Sequence, residues 1–380
     1  MNKKVKLFEL ADKKFINVAK GKNLPKNYRD KGDFPVIAAG KSIAYFSSHA
    51  NYNTNTITIS SSGANAGFVW KHTYPIWASD CTVIEVNENI NLDYFYLFLL
   101  SKQEIIYSFQ TGAGQPHVYW KDIKNIEIDL PSLEKQRKIA KTLDKANELI
   151  ELRKESITKL DALAKSIFID MFGDPVSNPK GWETKGIESL VRKEKYSIKR
   201  GPFGGSLKKE IFVKEGYLVY EQYHALNNDF TFARYFIDEK KYQELRAFEI
   251  QAGDIIISCS GVYLGKLAVI PNNFKRGIIN QALLKISLDE NIMKNVMFIN
   301  IFTNPNFKKK FFGNNIGSGV PNFPSMQDFK KFEFILPPIE LQNKFAKIVE
   351  KIEEQKSLYE KELEKLEENF QALLQKSFQE

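Results

Sequence analysis

Two stretches of the chain, 206 positions apart, begin alike and continue alike. Leu130-Pro131-Ser132-Leu133-Glu134-Lys135-Gln136 returns as Leu336-Pro337-Pro338-Ile339-Glu340-Leu341-Gln342. Proline suits the first turn of a helix, and neither copy meets another Gly or Pro for the next 40 or so residues. Both then keep apolar residues at alternating steps of three and four. The first runs through Ile139, Leu143, Ala146, Ile150, Arg153, Ile157, Leu160, Ala164 and Ile167; the second through Phe345, Val349, Ile352, Lys356, Tyr359, Leu363, Leu366, Phe370 and Leu373. Two seam residues per heptad over more than four heptads predict a coiled coil, and the simplest partner for each helix is the other copy. Such a rod would be about 60 Å long.

The regions ahead of the helices have a different texture. Runs such as Thr56-Ile57-Thr58-Ile59-Ser60 and Asp254-Ile255-Ile256-Ile257-Ser258 predict strands among Gly-rich turns. A second repeat links these regions: Ser60, Ser62, Gly63 and Gly67 match Ser258, Ser260, Gly261 and Gly265 at an offset of 198. A third pairs Gly112, Gly114 and Pro116 with Gly317, Gly319 and Pro321. The expected architecture is mixed α/β (α+β): a globule over 1–131, a long helix over 132–173, a second globule over 174–337 and a second long helix over 338–380. The two helices pair as an antiparallel coiled coil.

The formal charge of +9 divides unevenly among these segments. In chain order their nets are +3, +2, +7 and −3, so the globules carry the basic excess. That places a polyanion-facing surface on the globules and leaves the helices for another task.

Catalytic chemistry is hard to find in the sequence. Ala38-Ala39-Gly40-Lys41-Ser42 ends like a phosphate-binding loop, but Pro35 stands where its first glycine belongs. No Asn-Pro-Pro-aromatic stretch offers the amide that amino-methyltransferases use. The four histidines are scattered, and Cys81 and Cys259 have neither a Cys-x-x-Cys partner nor a nearby His pair, so reduced thiols and no metal site are expected. Asp254 reads as a turn or strand-edge acid. With no signal-peptide core and no apolar run of spanning length, the chain is expected to be cytoplasmic and free of membrane.

Clusters mixing cations with amides and aromatics have the composition needed to neutralise phosphates and reach base edges. In the first globule the candidates are Lys20, Lys22, Lys26 and Arg29, with Gln115 and His117 in a Gly/Pro-rich loop. In the second they are Lys199, Arg200, Lys208 and Lys209 around Gly201-Pro202-Phe203-Gly204-Gly205-Ser206, then Gln222, Tyr223 and His224, and the run Lys308, Lys309 and Lys310. If the two globules bind different sequences, the serine-glycine element common to both cannot discriminate between them; it reads as scaffold for a strand-to-turn transition, with hydroxyls and N–H groups offered to a phosphate as the alternative.

The chain resembles the specificity subunit of type I restriction-modification enzymes. The two Leu-Pro-x-hydrophobic-Glu-x-Gln helix starts carry the likeness, with the Met171-Phe172-Gly173-Asp174 ending of the first helix and Gly181-Trp182-Glu183. Gly253-Asp254-Ile255-Ile256-Ile257-Ser258 and Asn280-Gln281-Ala282-Leu283 add to it. The pattern is incomplete in two places: the first globule lacks a Gly-Trp-Glu opening, and the second helix lacks the Met-Phe-Gly ending.

The resemblance implies a non-catalytic, sequence-specific subunit for double-stranded DNA. Each globule would be a target-recognition domain reading one half of a bipartite asymmetric site, and the helices would act as spacer. It further implies docking of two methyltransferase subunits and association with restriction subunits. S-adenosylmethionine, ATP and Mg would reside in those partners and none in this chain. A stand-alone DNA-binding adaptor and a specificity module for a fused methyltransferase-nuclease are the competing readings.

Overall fold

The computed structural model describes residues 4–112, 114–313 and 323–378. The repeat partners Gly317, Gly319 and Pro321 lie outside them. The chain divides into two compact units, one holding residues up to Ser156 with those from Tyr359 onward, the other holding Ile157–Leu358. Each unit thus contains a globule and a stretch of both long helices.

Among the described residues, the first unit has three small sheets. Lys4–Lys6 pairs antiparallel with Glu127–Asp129. A four-stranded sheet has the order Ile16–Lys20, Cys81–Val86, Thr56–Ser60, Val69–His72, and a three-stranded sheet the order Tyr45–Ser47, Arg29–Ile37, Trp77–Ala78. In the three-stranded sheet one contact is antiparallel and one parallel. Thr56–Ser60 is covered on both faces; its β-branched Thr56–Ile59 run suits a buried strand, and the Thr58 hydroxyl meets His72 Nε2 at 2.8 Å. The helix Leu92–Ser101 adds Tyr94, Phe95, Phe98 and Leu99 to the core, where Ala140, Leu143, Ile150, Phe370 and Leu374 of the long helices also pack.

The second unit repeats this plan strand for strand. Thr184–Gly186 pairs with Glu333–Ile335. The four-stranded order is Ile198–Arg200, Leu283–Ile286, Ile255–Ser258, Leu267–Val269, and the three-stranded order Phe236–Ile237, Tyr217–Tyr220, Gly277–Ile279. The same neighbours are antiparallel and parallel as in the first unit. Its core is rich in phenylalanine: Phe298, Phe302, Phe307, Phe329 and Phe334 are fully buried and meet Phe168, Phe172 and Phe345 of the long helices.

The long helices run from Leu133 to Phe172 and from Ile339 to Phe378. In the first unit Arg153 bonds Glu362 at 2.8 Å; in the second Lys356 bonds Asp161 at 2.6 Å, and Phe172 meets Phe345 at 5.5 Å between ring centres. Position rises on one helix as it falls on the other, so the pair is antiparallel. The two polar interruptions of the seam are therefore each matched by an acid on the facing helix, and the Arg153 guanidinium also lies 4.0 Å over the Tyr359 ring.

The repeated motifs acquire physical roles here. Ser132 Oγ accepts from Lys135 N at 3.4 Å at the first helix start. Gln136 is buried; its Oε1 accepts from Asn91 N at 2.8 Å and its Nε2 donates to Pro131 O at 2.9 Å. Gln342 does the same with Lys294 N at 3.0 Å and with the carbonyls of Ile292 and Pro337. Each glutamine thus ties a long helix to the start of a helix within its own globule. At the far end of the first helix, Trp182 Nε1 donates to Phe172 O at 2.9 Å and Lys180 Nζ to Met171 O at 2.9 Å, satisfying carbonyls that the last turn leaves open.

Candidate nucleic-acid interface

In the first globule, the strand Ile16–Lys20 ends where Cys81–Val86 begins, beside the end of Thr56–Ser60. Gly21 N donates to Cys81 O at 2.8 Å, and a Cβ on Gly21 would lie 1.9 Å from Ser79 O, so only glycine permits this approach. The segment that follows carries the basic candidates outward. Lys20, Lys22 and Lys26 are exposed and make no ion pair among the described residues. Lys22 O accepts from Trp77 Nε1 at 2.7 Å, which holds the turn against the globule. Arg29 lies 4.3 Å over Tyr45 and 3.4 Å from Asp30.

Gln115 and His117 join this same end of the sheet. His117 pairs by backbone with Thr111 and bridges to Ser62, while Val118 N donates to Ser61 O at 3.1 Å. Their loop is therefore laid beside the Ser60–Gly63 turn. Gln115 is exposed; the His117 ring stacks on Tyr119 with centroids 5.6 Å apart.

The second globule builds the equivalent end from different side chains. Gly201 N donates to Leu283 O at 2.9 Å, and a Cβ there would meet Asn280 O at 1.8 Å. Gly21 and Gly201 are thus counterparts, which aligns Lys20 with Arg200. Arg200 Nε is buried without a partner among the described residues, and its guanidinium lies 5.3 Å from the ring of Phe203, which is 66% exposed. Lys199 lies 5.0 Å from the rings of both Tyr196 and Phe248. These groups line an open cavity of about 570 Å³. Lys208 and Lys209 are exposed on the following loop.

Two candidates depart from expectation. His224 is completely buried, with Nδ1 accepting from Glu221 N at 2.9 Å and Nε2 at 3.0 Å from Phe232 O. It shapes the loop and has no route to a base edge. Gln222 directs Nε2 to Ser258 Oγ at 2.6 Å and Ser260 O at 2.7 Å. Its amide nitrogen is committed to the fold, so a bidentate pairing with adenine would break both bonds. Tyr223 is 39% exposed at the same edge. Lys308 is half-buried, and burial together with the nearby Lys266 lowers its ammonium below the ordinary lysine range. Lys309 and Lys310 are exposed on the helix Pro305–Phe312, whose Phe307 and Phe312 face the core.

The serine-glycine repeat is a hairpin of one geometry in both globules. Gly63 and Gly261 have φ of +79° and +75°, Gly67 and Gly265 of +94° and +75°. Gly67 N donates to Ser60 O, and Gly265 N to Ser258 O. Positive φ at both glycines explains the repeat as a turn requirement. Exposed residues at this end that were not singled out for DNA contact include Val262, Tyr263 and Gln281. No periodic signal marks Val262 or Tyr263, because loop tips have none, whereas Gln281 lies within the Asn280-Gln281-Ala282-Leu283 motif.

The chemistry of the other motifs is structural. The segment 38–42 joins two strands and opens no helix. Asp254 is buried and accepts from Gln251 N at 2.8 Å, closing the turn before Ile255–Ser258. Cys81 and Cys259 are free and buried, and burial pushes both thiols up to about 12. Among the described residues no His, Cys, Asp and Glu group is placed to hold a metal, and no helix is long and apolar enough to cross a membrane.

The sequence pattern of the type I restriction modification DNA specificity domain matches residues 2–162 and 179–368. The type I restriction enzyme MjaVIII specificity subunit of Methanocaldococcus jannaschii is 26% identical over 338 residues, covering 83% of this chain and 76% of that one. A putative type I specificity subunit of Mycoplasma pneumoniae, S.MpnORF507P, is 27% identical over 350 residues, covering 90% and 87%. Among solved structures, the S subunit of a type I restriction-modification system from M. genitalium superposes with a TM-score of 0.57 at 19% identity over 99% of this chain and 96% of its own. A chain from a study of complex assembly and conformational transition in the type I R-M system gives 0.58 at 16% identity, over 95% and 97%. The two structures share the fold, and the match along most of the sequence, in two copies, places this chain in the family of type I restriction-modification DNA specificity subunits.

Proposed function

We propose that this chain reads a bipartite, asymmetric DNA site, one half by each globule, and brings methyltransferase subunits to it. One observation carries the reading: two globules of identical strand order each gather, at the same end of the four-stranded sheet, amides, aromatic rings and cations that have no ion-pair partner among the described residues. Cations there would neutralise phosphates and release their counterions, which supplies affinity without sequence preference. Side chains that differ between the globules at matched positions would supply the preference. Lys20 against Arg200 is such a position, since a guanidinium can grip guanine O6 and N7 with two bonds.

In this reading the segments 1–131 and 174–337 are the target-recognition domains, and the paired helices set the separation of the half-sites. Two methyltransferase subunits dock on the helices, and restriction subunits complete the assembly. The chain itself performs no chemistry; S-adenosylmethionine, ATP and Mg act in the partner subunits. The test is genome-wide mapping of methylated bases in cells expressing the methyltransferase with and without this chain. A split motif that appears only with the chain is expected. A motif unchanged by its removal, or a chain that never co-purifies with the methyltransferase, would favour the stand-alone adaptor.

A further inference from the structure

We propose that the hairpin at 259–266 of the second globule is a wedge for double-stranded DNA, and that the matching hairpin of the first globule is not. Val262 and Tyr263 at its tip would enter a base step while Lys266 and Lys308 hold the adjoining phosphate. The inference rests on the DNA-reading function proposed above and adds which half-site is deformed.

The tip is unusual for its chemistry. Val262 is 86% exposed and Tyr263 is 52% exposed, so two large side chains stand in water at the end of a turn. The turn is held rigidly from below. Leu264 N donates to Gly261 O, Lys266 N to Tyr263 O, and Gln222 clamps Ser258 Oγ and Ser260 O. A tip presented on a fixed stem loses little freedom when it inserts.

Charge identifies the occupant. Lys266 belongs to the stem, and Lys308 packs against Gly265, where an added Cβ would sit 3.8 Å from its Cε. Lys308 is half-buried with Lys266 nearby, and neither lysine has an acidic partner among the described residues. Two neighbouring cations beside an exposed apolar tip suit an anion flanked by apolar surface, which is the chemistry of a phosphate next to a stacked base pair. Apolar wedges of this kind partly unstack a step and kink the duplex.

The first globule supplies an internal contrast. Its hairpin has the same turn bonds, Ala66 N to Gly63 O and Phe68 N to Asn65 O. At the offset of 198, Ala64 replaces Val262, Asn65 replaces Tyr263 and Phe68 replaces Lys266. That tip is small and polar, and its stem lacks the cation.

The test exchanges one tip for the other. Val262→Ala with Tyr263→Asn keeps a turn already present in this chain. The full chain with its methyltransferase, without S-adenosylmethionine, is bound to duplexes carrying the mapped motif, with 2-aminopurine scanned through both half-sites outside the methylated bases. In the unaltered protein, fluorescence should rise at one step of one half-site only. The double variant should abolish that rise and weaken binding about tenfold, in the range expected for a lost aromatic stack. Several results would overturn the wedge: no such rise, rises in both halves, a rise that survives the exchange, or loss of the methyltransferase subunit from the variant. If the unaltered protein fails to prefer its motif over a scrambled duplex, the broader DNA-reading function fails instead.

Discussion

Gln136 and Gln342 show how a residue can be visible in a sequence while its purpose is not. Both stand at the same place in the repeated helix start, yet only the fold reveals that each bridges the long helix to a helix start in its globule. Replacing Gln342 with Ala would leave Lys294 N, Ile292 O and Pro337 O without this partner. A loss of about 2–3 kcal/mol is expected for such buried bonds, read as a lower midpoint in denaturant titration followed by fluorescence. A midpoint unchanged within error would refute the tether.

His72 makes a second residue-scale prediction. It is fully buried, its Nε2 lies 2.8 Å from Thr58 Oγ1, and burial lowers its pKa from 6.5 to about 4. The unfolded chain therefore takes up a proton at a higher pH than the folded one. This contribution to stability is complete above pH 6.5 and declines as pH falls toward 4, by about 3 kcal/mol in total. His72→Gln should flatten that decline when stability is measured across the window. An equally steep decline in the variant would place the acid sensitivity elsewhere.

At the scale of elements, the helices were readable and the sheets were not. A heptad seam is a local pattern, and every seam residue it marked is buried or half-buried. The polar interruptions were readable only as interruptions: that Arg153 meets Glu362 and Lys356 meets Asp161 depends on which way the second helix runs. The strands are mostly three to five residues long, too short for periodicity to pair them, and the parallel contacts join strands about 40 to 60 residues apart. The proposed spacer role can be checked at this scale. Inserting four residues into each long helix, about one turn, should lengthen the gap between half-sites by roughly one to two base pairs, given 5.4 Å per turn and 3.4 Å per base-pair step. The half-sites themselves should stay as they were in methylation maps, and a gap of unchanged length would refute the role.

For the molecule as a whole, repetition is the organising fact, and it is deeper in space than along the chain. The long helices recur at an offset of 206 and the serine-glycine hairpins at 198, whereas Gly21 and Gly201 are counterparts 180 residues apart. Insertions between strands changed the spacing while the strand order stayed the same, so no single alignment offset could match Lys20 with Arg200. The sequence by itself determined what depends on near neighbours: two long helices with one apolar stripe each, two turns that demand glycine, basic globules and near-neutral rods. Tertiary structure alone decided what depends on distant partners. It buried His224, committed the Gln222 amide to the hairpin, and left Val262 and Tyr263 standing at the tip. The reason is physical: a side chain's propensity and charge belong to its place in the chain, but its exposure and its free hydrogen-bonding atoms belong to whatever the rest of the chain packs against it.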